Sequence, residues 1–333
     1  IKSMNYTGKK VLVTGAGGFI GSHLTEELVK AGAEVTALVH YNSNSNINNL
    51  RFLPKEILSQ IEIIFGDIQD GFLMNTLSKG KEIVFHLAAL IGIPYSYVAP
   101  AAYVSTNING TLNMLEAARS QGVQKLLVTS TSETYGTALY APIDEKHPMQ
   151  GQSPYSATKI GADKIAESYF LSFNLPVCVF RPFNTFGPRQ STRAVIPTIV
   201  SQVLSDSNEI RLGSLDPVRD MLYVKDTARG FMMAALADST IGEVVSVGTG
   251  RGDTIGEIVD MVQKICGTEK EVIAENQRIR PEKSEVMKLI CDYSKAKTLF
   301  DWDPQYSLEQ GLSEVVEFMK SNKPDIDPSK YAI

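Results

Sequence analysis

Short apolar segments alternate with helical patterns through the first half of the chain. They are KKVLVTG from Lys9, EVTALVH from Glu34, IEIIFGD from Ile61, EIVFHLAA from Glu82 and KLLVTS from Lys125. Each is apolar almost throughout, which is typical of strands that are buried on both faces of a parallel sheet. Helices must then cover both faces, so we predict an α/β protein with a doubly wound parallel sheet.

A glycine-rich loop, TGAGGFIG at residues 14–21, follows the first strand and opens the helical stretch FIGSHLTEELVKAG. Glycines permit a tight turn there and let backbone N–H groups approach a pyrophosphate at the positive end of the helix. A lone glycine pattern is weak, but its place between a strand and a helix makes it specific. The sheet is therefore predicted to be a Rossmann sheet that binds a dinucleotide.

The second strand, EVTALVHYN, ends without the acidic residue that usually binds the ribose 2′-hydroxyl, and His40, Asn42 and Ser43 stand there instead. Because an acid would repel a 2′-phosphate, its absence favours NADP, with NAD possible. Asp67 follows the third strand, where its carboxylate could accept a hydrogen bond from the adenine amino group. An exposed turn aspartate is the alternative interpretation.

The alternation becomes less regular after PVCVFRPFN, residues 176–184. We therefore expect a dinucleotide-binding domain over residues 1–182 and a smaller C-terminal α/β substrate-binding domain over residues 183–333. Two later apolar stretches, residues 242–249 and 286–291, fit strands of either body, so the two domains are expected to be partly interleaved.

Composition excludes several classes of partner. The net charge of −5 provides no basic surface for nucleic acid or an anionic membrane. The three cysteines form no CxxC pair, which argues against a disulfide framework and a metal cluster and favours a cytoplasmic protein. No Asp, Glu, Lys or Arg occurs from Ile83 to Leu115. Because prolines and asparagines interrupt this segment, we predict a strand, a loop and a helix rather than a membrane span.

Tyr155 and Lys159 lie four residues apart at the start of a predicted helix, so their side chains share one face. A phenol is a poor base at neutral pH, but a neighbouring ammonium and a cationic nicotinamide favour the phenolate. Behind a dinucleotide loop, the pair predicts oxidation of a hydroxyl to a carbonyl. His86 ends a buried strand nearby, and we interpret it as a core histidine rather than a catalytic one.

The stretches TGAGGFIG, FHLAA, TNINGT, STSETYG, YSATK, RPFNTFGPR, RDMLYVKD, RPEKSEV and DWDPQYSLEQGL resemble the extended short-chain dehydrogenases/reductases that act on nucleotide sugars. The triplet Thr131-Ser132-Glu133 is similar to that of 4,6-dehydratases of the GDP-mannose type and of UDP-glucuronate decarboxylases. PYSYVAP and RAVIPTIVSQ look most like the dehydratases of the legionaminic acid pathway, which act on a nucleotide-activated N-acetylglucosamine.

The resemblance implies a reaction at three sugar carbons. Tyr155, with Lys159 and Thr131, would assist oxidation at C4, Glu133 would remove the C5 proton, and water would leave C6 before the hydride returns there. Ser132, the middle residue of the triplet, is the fifth catalytic candidate that the resemblance implies. Relatives that act on dTDP-glucose carry an aspartic acid in the place of Ser132. Either Glu133 also protonates the leaving oxygen, or a water relays the proton. An exposed turn acid is the alternative interpretation of Glu133.

The same resemblance implies two sets of binding residues. The cofactor would contact Gly15, Gly18, Phe19, Ile20, Gly21, His40, Asn42, Ser43, Asp67, Ile68, Leu87, Ala88, Ala89, Thr129, Tyr155, Lys159 and Pro182. The substrate would contact Ser96, Asn184, Arg193, Val195, Arg219 and Arg280. Arginine suits a diphosphate because its planar fork donates two hydrogen bonds at once. The alternatives are a solvated loop serine at 96 and surface arginines paired with acids.

Three other functions remain open at this point. A UDP-glucuronate decarboxylase would share the C4 oxidation, a 4-epimerase would need no Glu133, and a non-catalytic dinucleotide sensor would have lost Tyr155 or Lys159. The resemblance also implies a homodimer, formed through two helices of each subunit.

Overall fold

The computed structural model describes residues 4–275, 283 and 285–322. Arg280, a predicted substrate contact, lies outside these residues. The strands are β1 (Lys10–Thr14), β2 (Glu34–His40), β3 (Glu62–Gly66), β4 (Ile83–His86), β5 (Lys125–Thr129), β6 (Val177–Pro182), β7 (Asn184–Phe186), β8 (Glu209–Leu212), β9 (Val218–Arg219), β10 (Met221–Tyr223), β11 (Val244–Val247), β12 (Asp253–Thr254), β13 (Glu271–Ala274) and β14 (Lys288–Leu289).

The α-helices are α1 (Phe19–Lys30), α2 (Lys55–Leu58), α3 (Gly71–Ser78), α4 (Ile93–Val98), α5 (Pro100–Tyr103), α6 (Gly110–Gln121), α7 (Pro154–Phe173), α8 (Val195–Val203), α9 (Val224–Leu236), α10 (Ile255–Cys266), α11 (Ser294–Phe300) and α12 (Leu308–Ser321). A π-helical segment, Val104–Asn109, joins α5 to α6, and short 3-10 helices occur at Asn48–Phe52, Ser132–Tyr135 and Asp238–Thr240.

Seven strands form one parallel sheet in the order β11-β6-β5-β4-β1-β2-β3. Strand β1 pairs with β2 on one side and with β4 on the other, so the direction of winding reverses there. In such sheets ligands bind beyond the carboxyl ends of the strands at the point of reversal. The predicted doubly wound Rossmann sheet is confirmed.

Helices cover both faces of this sheet with separate apolar layers. On one face, Leu24 of α1 and Phe231 of α9 belong to the cluster that contains Phe85 and Phe180 of the sheet. On the other face, helices α3, α6 and α7 contribute buried residues such as Met114. This double cover explains why the strands are apolar almost throughout.

The uncharged segment from Ile83 to Leu115 forms β4, the short helices α4 and α5, the π-helical segment and the start of α6. The predicted strand, loop and helix are therefore confirmed, with additional helical turns in the loop. Among the described residues, no helix has both the length and the apolar character that a membrane crossing requires.

A second body packs helices α8, α10 and α12 around a core that contains Ile199, Ile258 and Val315. Its strands form small sheets, in which β8 pairs with β13, β9 with β12 and β14, and β7 with β10. Strand β11 and helix α9, by contrast, belong to the large sheet and its cover, although both follow residue 183. The stretch at residues 242–249 therefore contributes β11 to the large sheet, and the stretch at residues 286–291 contributes β14 to the small sheet that contains β9 and β12.

The aromatic contact between α9 and the sheet gives a test of this arrangement. Phe231 is fully buried, with its ring centroid 4.2 Å from that of Phe180. We expect Phe231→Ala to lower the free energy of unfolding by about 3–5 kcal/mol because it leaves a cavity. Denaturant unfolding measures this loss. Phe72 is 91% exposed, so Phe72→Ala is the control and should change stability by less than about 0.5 kcal/mol; equal effects would contradict the packing.

Candidate active site

The glycine loop between β1 and α1 is shaped by close backbone approaches. Gly15 has a φ of +70°, and a methyl group there would lie 2.7 Å from the backbone nitrogen of Ala88. A methyl group at Gly21 would lie 2.1 Å from the carbonyl oxygen of Gly15. Within the described part of the chain no side chain caps α1, which follows Gly18, so its first backbone N–H groups are open to an anion. The cradle fits the pyrophosphate of a dinucleotide.

At the ends of β2 and β3, two of the predicted contacts come together. His40 Nε2 lies 3.4 Å from Asp67 Oδ2, and the other Asp67 oxygen accepts a hydrogen bond from Gln69 N. Asn42 is engaged within its own loop, where Oδ1 accepts from Asn46 N. Ser43 is exposed, whereas Ile68 is buried and Asp67 is half-buried. A carboxylate from the end of β3 therefore lies beside the end of β2, although the carboxyl end of β2 itself carries none.

The ends of β4 and β5 form the opposite side of the cradle. Leu87 N and Ala88 N donate to the carbonyl and hydroxyl oxygens of Thr14, and Ala89 follows half-buried. Thr129 ends β5, and its hydroxyl is buried without a hydrogen-bond partner in the described part of the chain. Such a group costs free energy unless a ligand satisfies it, so it too fits a bound cofactor.

Three further predicted contacts lie on the elements next to this cradle. Phe19 and Ile20 form the first turn of α1 and are half-buried against the core of the second body. Pro182 ends β6, paired with Val247 of β11. The predicted cofactor residues therefore surround one edge of the sheet.

His86 has both ring nitrogens occupied, Nδ1 by the Thr14 hydroxyl at 2.8 Å and Nε2 by the Thr111 hydroxyl at 3.1 Å. Burial, with a smaller effect from the Lys159 charge, lowers the pKa of His86 to about 3. The imidazole is therefore neutral at physiological pH. The interpretation of His86 as a core histidine is confirmed.

Tyr155 and Lys159 share one face of α7, whose start is fixed by a capping box between Ser153 and Ser156. Both are buried, and Lys159 Nζ donates to the carbonyl oxygen of Thr129 at 2.5 Å. Burial lowers the pKa of the Lys159 ammonium, and the charge of Asp163 opposes that effect. The Tyr155–Lys159 face thus contacts the end of β5.

Thr131 and Glu133 lie against the same tyrosine. Burial raises the pKa of Tyr155 well above its usual range, a hydrogen bond with Thr131 lowers it, and the Glu133 charge raises it. Thr131 caps the 3-10 helix Ser132–Tyr135 and accepts from Glu133 N. Ser132 is only 2% exposed, whereas Thr131 and Glu133 are half-buried. The structure therefore groups Thr131, Glu133, Tyr155 and Lys159, with Ser132 buried between the first two.

The predicted substrate contacts are less uniform. The Asn184 side-chain oxygen is buried without a partner among the described residues. Arg219 is largely buried and forms an ion pair with Glu285 at 3.2 Å. Arg193 is exposed near Tyr103, whose pKa is raised by burial while the Arg193 charge opposes that effect. Val195 is the first residue of α8.

Ser96 is not the solvated loop serine of the alternative interpretation. It is fully buried within α4, and its hydroxyl donates to the Ile93 carbonyl oxygen at 2.6 Å. A solvated loop serine is therefore wrong, because the segment around Pro94 forms a helical turn that packs toward α7. Contact with a sugar stays a prediction.

Two features of the site were not predicted. The ring of Tyr103 packs edge-on to Tyr155 at 6.3 Å, and its hydroxyl donates to the Gly92 carbonyl oxygen. Behind the site, Asp163 and Arg181 form a fully buried ion pair. The only sequence signal for the pair was an aspartate four residues after Lys159 on the same helical face.

A family profile described as GDP-mannose 4,6 dehydratase matches residues 12–315. The chain belongs to this family. It is 31% identical over 317 residues to a putative UDP-glucose 4-epimerase of Methanocaldococcus jannaschii, covering 94% of this chain and 99% of that protein. It is 30% identical over 321 residues to a dTDP-glucose 4,6-dehydratase of an Actinoplanes species, covering 94% and 98% of the two chains.

Among solved structures, a dTDP-glucose 4,6-dehydratase from Bacillus anthracis in complex with NAD superposes with a TM-score of 0.84 at 27% identity, covering 95% of this chain and 98% of that one. Relatives of this family member thus include dehydratases and epimerases, and a decarboxylase is also among them. Membership identifies the chain as an enzyme of nucleotide-sugar metabolism.

Proposed function

We propose that this protein is a nucleotide-sugar 4,6-dehydratase that converts a UDP- or GDP-linked N-acetylglucosamine, or a related hexose, into its 4-keto-6-deoxy derivative. The observation that carries the proposal is the position of Glu133, half-buried beside Tyr155 and near enough for its charge to raise the tyrosine pKa. Tyr155 and Lys159 alone suit oxidation of a hydroxyl. An added base is what elimination requires. The stretches that resemble legionaminic acid pathway dehydratases support the amino sugar.

Tyr155 would take the proton of the C4 hydroxyl. Because burial disfavours the phenolate, its formation depends on nearby cations and hydrogen-bond donors. Lys159 supplies the cation on the same helical face, and Thr131 supplies the hydrogen bond. A bound nicotinamide dinucleotide would supply the hydride acceptor, and the glycine cradle and the unpartnered Thr129 hydroxyl support its binding there.

Glu133 would remove the proton from C5, which a ketone at C4 makes acidic, and would then give that proton to the oxygen that leaves C6 as water. The hydride would return to C6, and release of the proton that Tyr155 took from the C4 hydroxyl would balance the proton that C5 regains. The residue type at position 132 supports this double role, since a serine hydroxyl is not one of the usual general acids. A single carboxylate can serve as base and then acid because it carries the proton from one step to the next. No other strong acid belongs to the triplet.

The diphosphate would bind between the two bodies of the chain. Arg219, Arg193 and Arg280 are the proposed cations, and the unpartnered Asn184 oxygen supports a polar ligand beside β7. Arg219 pairs with Glu285 in this structure, so a phosphate would compete with that carboxylate for the guanidinium.

One assay separates this function from its alternatives. The purified protein is incubated with UDP- and GDP-N-acetylglucosamine, GDP-mannose and UDP-glucuronate, and the products are analysed by mass spectrometry and NMR. Loss of one water is the expected result. Loss of carbon dioxide from the glucuronate would instead show that the protein is a decarboxylase. A changed C4 configuration at constant mass would show an epimerase, and no change with any donor would indicate a non-catalytic sensor.

The role of Glu133 is tested by Glu133→Gln. We expect this variant to reduce its bound nicotinamide with substrate, followed by absorbance, while exchange of the C5 proton with deuterated solvent falls at least about hundredfold, since the base is lost. Glu56→Gln, at an exposed acid in α2, is the control and should match the unmodified protein. Undiminished C5 exchange in Glu133→Gln would show that another group is the base.

For the cofactor we propose NAD. The sequence pattern favours NADP, but Asp67 lies beside His40 at the end of β2, where its carboxylate would repel a 2′-phosphate. The B. anthracis dehydratase complex with NAD supports the same choice. We expect NAD to bind at least about tenfold more tightly than NADP when both dissociation constants are measured by calorimetry. Asp67→Asn should bring the two dissociation constants closer together. Tighter binding of NADP would reverse the assignment.

A further inference from the structure

A buried polar network lies directly behind Tyr155 and Lys159. Asp163 and Arg181 are both fully buried, and Arg181 Nη2 donates to Asp163 Oδ2 at 2.8 Å. The same Asp163 oxygen accepts from the Ser130 hydroxyl at 2.5 Å. Arg181 also donates through Nε to the Ser130 hydroxyl and through Nη1 to the Tyr135 hydroxyl, over whose ring it lies at 4.7 Å.

These residues belong to the elements that carry the catalytic candidates. Asp163 lies one helical turn after Lys159 and two turns after Tyr155 on the same face of α7. Ser130 and Tyr135 flank the segment that contains Thr131 and Glu133. The network therefore ties the helix of the phenol to the turn of the carboxylate.

The orientation of Asp163 adds an electrostatic effect. Its second oxygen, Oδ1, is buried without a hydrogen-bond partner among the described residues. A buried carboxylate favours the charged form of a nearby ammonium and opposes ionisation of a nearby phenol. The charge of Asp163 raises the pKa of both neighbours. It therefore favours the charged ammonium of Lys159 and disfavours the phenolate of Tyr155.

We propose that Asp163 is a positioning residue of this enzyme: through Ser130 and Arg181 it holds the Tyr155–Lys159 face against the Thr131–Glu133 turn, and its charge keeps Lys159 protonated in a dry interior. The inference rests on the proposed roles of Tyr155 and Lys159. It assigns no contact between Asp163 and the substrate.

The groups that face this cluster come from several elements. Besides Asp163, the charges and titratable groups that act on Lys159, Tyr155 or Asp163 are His86 of β4, Tyr103 of α5, Glu133 of the 3-10 helix and Arg181 of β6. His86 is neutral at physiological pH because its pKa is about 3. Asp163 is thus the anion on the helix of Lys159 that can offset its desolvation.

The test uses Asp163→Asn in the holoenzyme. Removing the negative charge lowers the pKa of both Lys159 and Tyr155, so both limbs of the pH profile of cofactor reduction should move to lower pH by about one unit. We expect kcat at neutral pH to fall between about tenfold and hundredfold with little change in KM, because the reacting groups lose their alignment. The Lys159 13Cε resonance, assigned with Lys159→Met, should titrate at lower pH without any substrate.

The matched control is Asp226→Asn, at another fully buried aspartate that pairs with an arginine, Arg229, and lies on α9. It should lower the melting temperature without moving either limb of the profile. If Asp163→Asn changes only the melting temperature, as the control does, the proposal is wrong. If the unmodified protein reduces no cofactor with any sugar nucleotide, the proposed function fails, while the Lys159 titration still tests Asp163.

A buried arginine without its partner can prevent folding, so Ser130→Ala provides a second test. It keeps both charges and removes the hydroxyl that links them to the end of β5. We expect a fall in kcat of about tenfold with both limbs unmoved. An unchanged kcat would overturn the positioning role even if Asp163→Asn cannot be purified.

Discussion

The parallel backbone pairing of the seven-stranded sheet is the constraint on which the site depends. Because all strands point the same way, their carboxyl ends meet at one edge, although Thr14, Gly66, His86 and Thr129 are far apart in the sequence. The reversal of winding between β1 and β4 opens a crevice at that edge. The glycine loop can therefore pack on Ala88, and the loops that follow the strands can share one ligand.

Much of this edge could be predicted because the signals are local. An apolar strand followed by glycines and a helix identifies the cradle within 21 residues, and a spacing of four places Tyr155 and Lys159 on one face. The interpretation of His86 as a core histidine also follows from a local rule, since a polar group at the end of a buried apolar strand is usually satisfied by hydrogen bonds.

The rest depends on contacts between distant parts of the chain. The stretch at Val244–Val247 has the same pattern whether it joins the large sheet or a small one, and only its pairing with β6 decides. Arg181 occurs in a strand that reads as apolar, and its burial requires Asp163, Ser130 and Tyr135 from three other segments. Ser96 has a loop-like sequence, but its burial follows from how α4 packs against α7.

In the proposed reaction, Tyr155 and Glu133 also constrain each other. Each would be an anion at some stage, and the Glu133 charge raises the cost of the Tyr155 phenolate. When Tyr155 takes the C4 hydroxyl proton it becomes a neutral phenol, and the repulsion between the two groups disappears before Glu133 acts on C5. Once Glu133 has given the C5 proton to the leaving oxygen it is an anion again, and its charge then favours the neutral form of Tyr155. The charge interaction that links Glu133 to Tyr155 therefore couples the proton transfers of the two residues.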